Sequence, residues 1–332
     1  MIVNILIVAA GLGLVFLALE GDCAQPPPNT PPSGGSTFVA DRNPVFRGAD
    51  PHAIVVGTTI WVYPTVGRGR FDAFSSADLR TWERHNAVLE LTGVKWIHDG
   101  GYTDCQAWAP GVVQKGGKFY MYFSVGPQSP GYPSRIGVAV GDSPAGPFVD
   151  SGKPLLTGGN GFEAIDAMVF DDPKTHKFYF YAGGSAGATL RVFEMNPDMV
   201  SFAREIKVNT PPHFTEGSFM HYRNGVYYFT YSHGWWEGDT YSVYYVTSTT
   251  PVGPWKAGGK ILSSDDKRKG PGHHSIIKHP DRDEWYIVYH RWENQSGRGP
   301  YRGSRQVAID KLEYGSDGSL KPVTMTNVPP RL

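Results

Sequence analysis

Aromatic and aliphatic residues alternate with polar ones in short segments along most of the chain. Alternation with a period of two is typical of strands with one buried face, and the glycine, asparagine and aspartate residues between the segments are those of tight turns. One aromatic segment recurs five times, as GTTIWVY (57–63), GGKFYMYFS (116–124), THKFYFYAG (175–183), NGVYYFTYS (224–232) and DEWYIVYHR (283–291). The pattern therefore predicts an all-β chain built from repeats.

The spacing of these segments predicts the fold. Their equivalent aromatic residues are Trp61, Tyr120, Tyr179, Tyr228 and Tyr286. These markers lie 59, 59, 49 and 58 residues apart, and the intervals hold further turn-rich segments such as SSADLRTW (75–82) and GDSPAGPF (141–148). Each unit therefore has room for about four short antiparallel strands, which is the size of a propeller blade. We expect a five-bladed β-propeller over residues 38–332.

The N-terminal residues have a different composition. Residues 2–19 are almost wholly apolar, which predicts a signal peptide or an N-terminal anchor over residues 1–24. Residues 25–37 are rich in proline and glycine and carry no charge, as in an extended, flexible linker. We therefore expect an exported protein, periplasmic or extracellular, with membrane anchoring through the N-terminal segment as the alternative to cleavage.

Charge and cysteine content exclude several classes of function. The 31 lysine and arginine residues balance 31 aspartate and glutamate residues, so no long-range field recruits nucleic acid or an anionic membrane. The two cysteines, Cys23 and Cys105, are too few for a disulfide framework or a cysteine-ligated metal site. We expect no nucleic-acid partner and no organic cofactor, and nothing implies a protein partner.

Chemistry-bearing residues lie 11 to 13 positions before each marker aromatic, where the first strand of each blade is expected. They are Asp50, Trp108, Asp166, Glu216 and His273. The first strands of a propeller line its central channel, so equivalent positions form one ring around the axis. A single acid near a turn is most often a solvated surface residue. Three acids at equivalent positions indicate a functional site in the channel.

Around these residues the sequence resembles glycoside hydrolase family 43. The resemblance rests on GADPHAI (48–54), CQAWAPGVV (105–113), EAIDAMVFDD (163–172), FTEGSFM (214–220) and GPGHHSIIKHP (270–280), with SADLRTW and GDSPAGPF between them. It implies a five-bladed propeller that hydrolyses glycosidic bonds of arabinose- and xylose-containing plant polysaccharides with inversion. By position it implies that Asp50 is the general base, Glu216 the general acid, and Asp166 the carboxylate that raises the acid's pKa and orients it.

Inverting hydrolysis explains why several carboxyl groups are needed. One protonated carboxyl must lie beside the leaving oxygen and one carboxylate behind the anomeric carbon, roughly 6.5–9.5 Å apart, so that a water fits between them. A third carboxylate near the acid raises its pKa by repulsion, and burial acts in the same direction. An ion pair between Asp166 and an arginine is the alternative interpretation of that residue.

Further residues are expected around the acids. The resemblance places His273 near an ion such as Ca²⁺ on the channel axis, and a hydrogen-bonded core histidine is the alternative. Trp108 is expected either to stack on a sugar or to support the acids. Arg305 resembles the family's substrate-binding arginine, with Arg291 as the competing candidate. The aromatic side chains expected to wall the site, with ordinary packing as the alternative, are Phe71, Trp96, His233, Trp235 and Trp236.

The preferred function is that of an exo-acting α-L-arabinofuranosidase that releases terminal arabinofuranosyl, or xylosyl, residues. Endo-arabinanase, β-xylosidase and galactan-cleaving activities have the same catalytic ring and are alternatives within the family. A carbohydrate-binding propeller without catalysis is the alternative from another class. A related retaining propeller that acts on fructans is disfavoured, because a nucleophile must then lie about 5–5.5 Å from the acid.

Overall fold

The computed structural model describes residues 35–67, 69–99, 106–128, 131–185 and 187–332. Its strands form five antiparallel sheets. The first strand of each sheet contacts that of the next, and the fifth contacts the first, which makes the sheets the blades of a closed five-bladed propeller and confirms the predicted fold class. In the described ranges helical structure is limited to the 3₁₀ turn Leu91–Gly93, and no helix there has the length and apolarity needed to cross a bilayer.

Two N-terminal strands close the ring. Strand β1 (Ser36–Val39) joins the outer edge of blade 1, and β2 (Phe46–Arg47) joins the outer edge of blade 5. Between them the buried Asn43 donates through Nδ2 to the carbonyl of Ile309 (2.8 Å) and accepts from its N–H (3.0 Å). Because the other strands of blade 5 come from the C-terminal part of the chain, these bonds join the two ends of the domain.

The boundary at the N-terminus differs slightly from the prediction. Strand β1 begins inside the predicted linker 25–37 and pairs with blade 1. Residues 25–34 of that linker, the predicted signal or anchor 1–24, and both cysteines lie outside the described residues.

The remaining strands follow in blade order. Blade 1 holds β3 (Ala49–Val56), β4 (Thr59–Thr65), β5 (Arg70–Ser76) and β6 (Thr81–Glu90). Blade 2 holds β7 (Ala107–Lys115), β8 (Lys118–Val125), β9 (Arg135–Gly141), β10 (Val149–Asp150) and β11 (Leu156–Thr157). Blade 3 holds β12 (Met168–Asp171), β13 (Phe178–Ala182), β14 (Arg191–Met195) and β15 (Phe202–Ile206). Blade 4 holds β16 (Glu216–Arg223), β17 (Val226–His233), β18 (Ser242–Ser248) and β19 (Lys256–Ser263). Blade 5 holds β20 (Arg268–Lys278), β21 (Trp285–Glu293) and β22 (Gln306–Leu312).

The five repeated aromatic segments are the second strands β4, β8, β13, β17 and β21, as their spacing predicts. Their apolar side chains pack between blades rather than along the axis. Phe71 of blade 1 meets Phe123 of blade 2 with ring centroids 6.1 Å apart, and Tyr122 of blade 2 meets Phe180 of blade 3 edge-on at 5.7 Å. Similar clusters join blades 3 to 5 and blade 5 to blade 1. The hydrophobic core thus lies between the blades and leaves the mouth of the channel to polar groups.

Candidate active site

Each blade carries a left-handed residue where its first strand reaches the mouth of the channel. In blades 1, 3 and 5 this residue is Asp50 (φ 48°), Asp166 (φ 57°) and His273 (φ 33°), and in blades 2 and 4 it is Ala109 (φ 49°) and Gly217 (φ 64°). Aspartate and histidine are among the non-glycine residues found most often in this region. A β-bulge accompanies the left-handed residue in blades 1, 2, 4 and 5. Bulges re-aim side chains, which here directs them into the channel.

The backbone N–H of each left-handed residue is held by the preceding blade. In four blades the acceptor is a side chain four residues after the marker aromatic. The donor and acceptor pairs are Ala109 with Thr65 Oγ1 (2.9 Å), Asp166 with Ser124 Oγ (2.9 Å), His273 with Ser232 Oγ (2.8 Å) and Asp50 with His290 Nδ1 (3.0 Å). We call these the interblade hydrogen bonds. They fix the positions of the ring residues relative to one another.

Blade 3 departs from this arrangement. Its residue at the acceptor position is Gly183, which has no side chain, and the N–H of Gly217 donates instead to Oδ2 of Asp166 (3.1 Å). The carboxylate of blade 3 therefore replaces the missing acceptor. This bond ties Asp166 directly to the strand that begins with Glu216.

The three predicted acids meet in one pocket of about 330 Å³ at the mouth of the channel. All three are largely buried. The predicted residues that line this pocket are Asp50, Trp108, Asp166, Glu216, Trp236, His273 and Arg305. The whole ring inferred from the repeat spacing is thus brought together around one cavity.

Asp50 lies in a cationic environment. Arg305 Nη1 is 2.7 Å from Oδ1 of Asp50, Thr65 donates to Oδ2 (3.1 Å), and His273 Nδ1 lies 3.6 Å from Oδ1. Burial by itself raises the pKa of this carboxyl. The charges of Arg305, His273 and His290 together with the Thr65 hydroxyl outweigh burial and hold the pKa of Asp50 below its ordinary value of 3.8. Asp50 is therefore a carboxylate at neutral pH.

Asp166 and Glu216 have the opposite electrostatic character. Burial raises the pKa of Asp166 well above its ordinary value of 3.8, and the charges of Glu216 and Asp50 raise it further. Burial also raises the pKa of Glu216, although hydrogen bonds from Tyr241 (2.7 Å) and Ser185 (2.8 Å) oppose it. The two carboxyls interact strongly, so they titrate as a pair. This pair keeps a proton to higher pH than separate, solvated carboxyls would.

Comparison with known proteins identifies the family. The sequence profile described as Glycosyl hydrolases family 43 matches residues 41–320. The chain belongs to glycosyl hydrolase family 43. It is 36% identical over 307 residues to a β-D-galactofuranosidase of Aspergillus niger, covering 86% of this chain and 85% of that protein. It is also 30% identical over 343 residues to an arabinoxylan arabinofuranohydrolase of Bacillus subtilis, covering 86% of this chain and 64% of that protein.

Solved structures agree with this membership. An α-L-arabinofuranosidase of Clostridium thermocellum superimposes with a TM-score of 0.66 at 30% identity, covering 84% of this chain and 95% of that chain. A thermostable family 43 glycoside hydrolase superimposes with a TM-score of 0.70 at 29% identity, covering 91% of this chain and 97% of that chain. The family and the propeller fold implied by the sequence resemblance are therefore confirmed.

Two expectations about the walls of this family 43 site need correction, and the geometry separates the two candidate arginines. Phe71 is 1% exposed and packs in the core between blades 1 and 2, so it cannot contact a sugar. Trp235 is 45% exposed but does not line the pocket, whereas its neighbour Trp236 does. The Arg305 guanidinium packs over the Trp236 ring, 4.5 Å from its centroid. Arg291 is buried away from the acids and binds Glu293 (2.6 Å). Arg305 is thus the arginine of the site.

The alternative interpretations of Asp166 and His273 can also be compared with the geometry. Among the described residues no arginine forms an ion pair with Asp166, whose Oδ2 lies 3.3 Å from His273 Nδ1. In the same part of the chain no cluster of three or more His, Cys, Asp or Glu side chains is arranged to hold a metal ion. Ca²⁺ prefers six to eight oxygen ligands, and Asp50 is already engaged by Arg305. These residues do not fit a calcium site built from protein oxygens.

Several residues that line the pocket or contact its acids were not singled out from the sequence. Tyr241 and Ser185 bind the two oxygens of Glu216, and Gln106 and Gln128 line the pocket. Ser185 reaches Glu216 because the preceding residue is Gly184, where a Cβ atom would lie 2.8 Å from Cβ of Glu216. The acceptors of the interblade hydrogen bonds could have been found, since they recur four residues after each marker.

Asp166→Asn should make the protein more stable at alkaline pH. A carboxyl whose pKa is raised in the folded state contributes stability that is complete at low pH and is lost as the pH rises through the folded pKa. Asparagine removes this loss, tolerates the left-handed conformation and can still accept from Gly217. We expect the melting temperature to rise at pH 8, by roughly 2–4 °C for each kcal/mol gained, and to rise less at pH 4.5.

Calorimetry at the two pH values measures this difference, with Asp266→Asn as the control that removes a solvent-exposed carboxylate. An Asp166→Asn variant whose melting temperature is unchanged or lower at pH 8 would contradict the assigned direction of the pKa shift.

Proposed function

We propose that the protein is an exo-acting, inverting glycosidase that releases terminal arabinofuranosyl, or xylosyl, residues from plant cell-wall polysaccharides and oligosaccharides. Glu216 is the general acid, Asp50 the general base and Asp166 the residue that keeps the acid protonated. The observation that carries the proposal is the electrostatic division of the pocket. One carboxyl is paired with Arg305 and has a lowered pKa, whereas the other two form a coupled pair with raised pKa values.

The reaction follows from this division. Asp50 takes a proton from a water molecule as that water attacks the anomeric carbon. Glu216 gives its proton to the glycosidic oxygen on the other side, so the bond between that oxygen and the anomeric carbon breaks as the leaving group departs as an alcohol. The configuration at the anomeric carbon inverts. Asp50 ends protonated and Glu216 ionised, and proton exchange with solvent restores both for the next cycle.

The shape of the site supports exo action on a polymer. The reaction pocket of about 330 Å³ adjoins a groove of about 810 Å³ that is lined mainly by residues of blades 1 and 5. Thr65, Trp236 and Arg305 line both cavities. A small pocket at the end of a larger groove suits a terminal sugar in the pocket and the remaining chain in the groove. Because such chains are too large to enter cells, we also propose export through residues 1–24.

The identity of the terminal sugar has a second candidate. The 36% identity to a β-D-galactofuranosidase favours β-D-galactofuranosides as alternative substrates. An α-L-arabinofuranoside and a β-D-galactofuranoside have the same configuration around the furanose ring. They differ in the substituent on C4, which is a hydroxymethyl group in the first and a dihydroxyethyl group in the second. Rates on nitrophenyl α-L-arabinofuranoside, β-D-galactofuranoside and β-D-xylopyranoside distinguish the candidates.

Substitution of the acid and of the base should have different substrate dependence. Glu216→Gln and Asp50→Asn should each lower kcat by roughly 10²–10⁴-fold on natural oligosaccharides. On a nitrophenyl glycoside the Glu216→Gln loss should be much smaller, because a good leaving group needs little protonation, whereas Asp50→Asn should be as impaired as before. Steady-state kinetics of both variants, with melting curves to verify folding, test these roles. Equal losses for Glu216→Gln on both substrates would remove it as the acid.

The proposed geometry also predicts the stereochemical outcome. Asp50 and Glu216 belong to blades 1 and 4, which are not neighbours in the ring, and a water between them requires a direct displacement. Proton NMR of the first product, recorded before mutarotation, should show the anomer opposite to that of the substrate. A retained anomer would be inconsistent with Asp50 as the general base.

Filling the groove should impair only polymeric substrates. Ser304 is exposed, lines the groove and accepts a hydrogen bond from Arg47 (2.5 Å). Ser304→Trp should raise KM for a polysaccharide by roughly tenfold with little change in kcat, as expected for lost uniform binding, and leave nitrophenyl glycoside kinetics unaltered. Lys153→Trp, an exposed position in blade 2 outside the groove, is the control. Equal effects on both kinds of substrate would argue against chain binding here.

A further inference from the structure

Tyr241 is a buried side chain that contacts the acid directly. Its hydroxyl donates to Oε1 of Glu216 at 2.7 Å, while the hydroxyl of Ser185 lies 2.8 Å from Oε2. Burial raises the pKa of the Tyr241 phenol well above 10, and the charges of Glu216 and Asp166 raise it further. The phenol therefore stays protonated and acts on Glu216 as a donor.

The position of the Tyr241 ring is fixed by its surroundings. It stacks on His290 with ring centroids 5.7 Å apart and planes 9° apart. Gly272 packs against the edge of the Tyr241 ring, since a Cβ atom at that position would be 2.4 Å from Cδ1 and Cε1. His290 in turn accepts a hydrogen bond at Nδ1 from the N–H of Asp50. The tyrosine thus has one orientation, and its hydroxyl points at one oxygen of the acid.

A carboxylic acid has one proton and two oxygens. An oxygen that already accepts a short hydrogen bond from a phenol is poorly placed to carry a proton that points at the same phenol, because two hydrogens would then meet. The proton of Glu216 is therefore confined to Oε2. Ser185, unlike the phenol, can accept a proton because a serine hydroxyl both donates and accepts.

We propose that Tyr241 is a positioning residue that directs the catalytic proton of Glu216 to Oε2, the oxygen that gives it to the leaving group. This inference rests on the proposed role of Glu216 as the general acid. It assigns a function to a residue outside the repeated ring and outside the motifs of the sequence. It also gives the two oxygens of the acid different tasks: Oε1 accepts the hydrogen bond of the phenol, and Oε2, beside the Ser185 hydroxyl, carries the proton.

Other titratable and charged groups around Glu216 also affect its pKa. Asp50 raises the pKa of Glu216 and Arg305 lowers it, while Glu216 in turn raises the pKa of Asp166, with which it titrates as a pair. His273 faces Asp50 and Asp166, and the buried His290 has a pKa well below its ordinary value of 6.5, chiefly through burial. Tyr241→Phe replaces none of these groups and keeps the ring that stacks on His290, so a change in the titration of Glu216 in that variant reports the lost hydrogen bond.

Tyr241→Phe should lower kcat and at the same time extend activity to higher pH. The phenol stabilises the ionised carboxylate, so its removal should raise the pKa of Glu216 by roughly one unit, the usual effect of one hydrogen bond to a charged group. The alkaline limb of the kcat/KM profile should move up by that amount. At the optimum, kcat should fall roughly tenfold on natural oligosaccharides and less on nitrophenyl glycosides, whose departure needs little protonation.

Tyr231→Phe is the matched control. Tyr231 lies in the same blade, is equally buried and donates to the carbonyl of Pro212 (2.7 Å) rather than to the acid. Its removal should cost similar stability without moving the pH profile. An unmoved or downward-shifted alkaline limb in Tyr241→Phe, or equal losses on both substrates, would overturn the proposal.

Infrared difference spectra against Glu216→Gln provide a readout that does not depend on turnover, because they follow the carboxyl of Glu216 itself. If its titration does not move in Tyr241→Phe, the present proposal is wrong. If the titration moves but the pH profile does not, the role of Glu216 as the acid is wrong. Should Tyr241→Phe unfold, 3-fluorotyrosine at position 241, a stronger donor of the same shape, should shift the titration and the alkaline limb to lower pH.

Discussion

A buried backbone N–H in a left-handed segment must find an acceptor, and in this propeller the acceptor comes from the preceding blade. An unpaired buried N–H costs about 1–3 kcal/mol, and a left-handed non-glycine residue costs a similar amount. Both costs recur around the ring, so the inner strands keep this geometry only while neighbouring blades supply Thr65, Ser124, Ser232 and His290. The bonds that hold the blades in place therefore also set the spacing of the acids.

The exception at Gly183 shows how this framework is adapted to chemistry. With no side chain there, the N–H of Gly217 binds Asp166 and so links the carboxylate of blade 3 to the strand of the acid. A side chain at Gly183 would also clash, because a Cβ atom would lie 2.0 Å from the carbonyl oxygen of Thr189. The same glycine thus lets its loop fold back, and Gly184 and Ser185 of that loop contact Glu216. Blade 3 thus lacks the side-chain acceptor found in the other blades, and the loop that begins at this glycine contacts Glu216 instead.

The repeated parts of the molecule could be predicted from the sequence, whereas the loops could not. Period-two aromatic strands at regular spacing determine the blades, and equal offsets from the markers place Asp50, Asp166 and Glu216 in one ring. Outside regular strands no alternation indicates which side chain faces inward, so the sequence could not distinguish Trp236, which lines the pocket, from Trp235, which does not. Tyr241 is likewise not at a ring position, and its contact with Glu216 depends on how the third strand of blade 4 begins. Phe71 is a different kind of error: we expected it to wall the site, but it is an aromatic residue of the core between blades.

A net charge of zero conceals an uneven distribution at the mouth of the channel, where, among the residues that the structure describes, three buried carboxyls and one guanidinium line the pocket. Arg305 pairs with Asp50, and within the described part of the chain no arginine or lysine forms an ion pair with Asp166 or Glu216. A second arginine beside Asp166 would relieve their repulsion and lower both pKa values. The acid would then lose its proton below neutral pH and could not assist the leaving group. The unequal pairing is destabilising for the folded protein, and it is this imbalance that keeps one carboxyl ionised and another protonated within the same pocket.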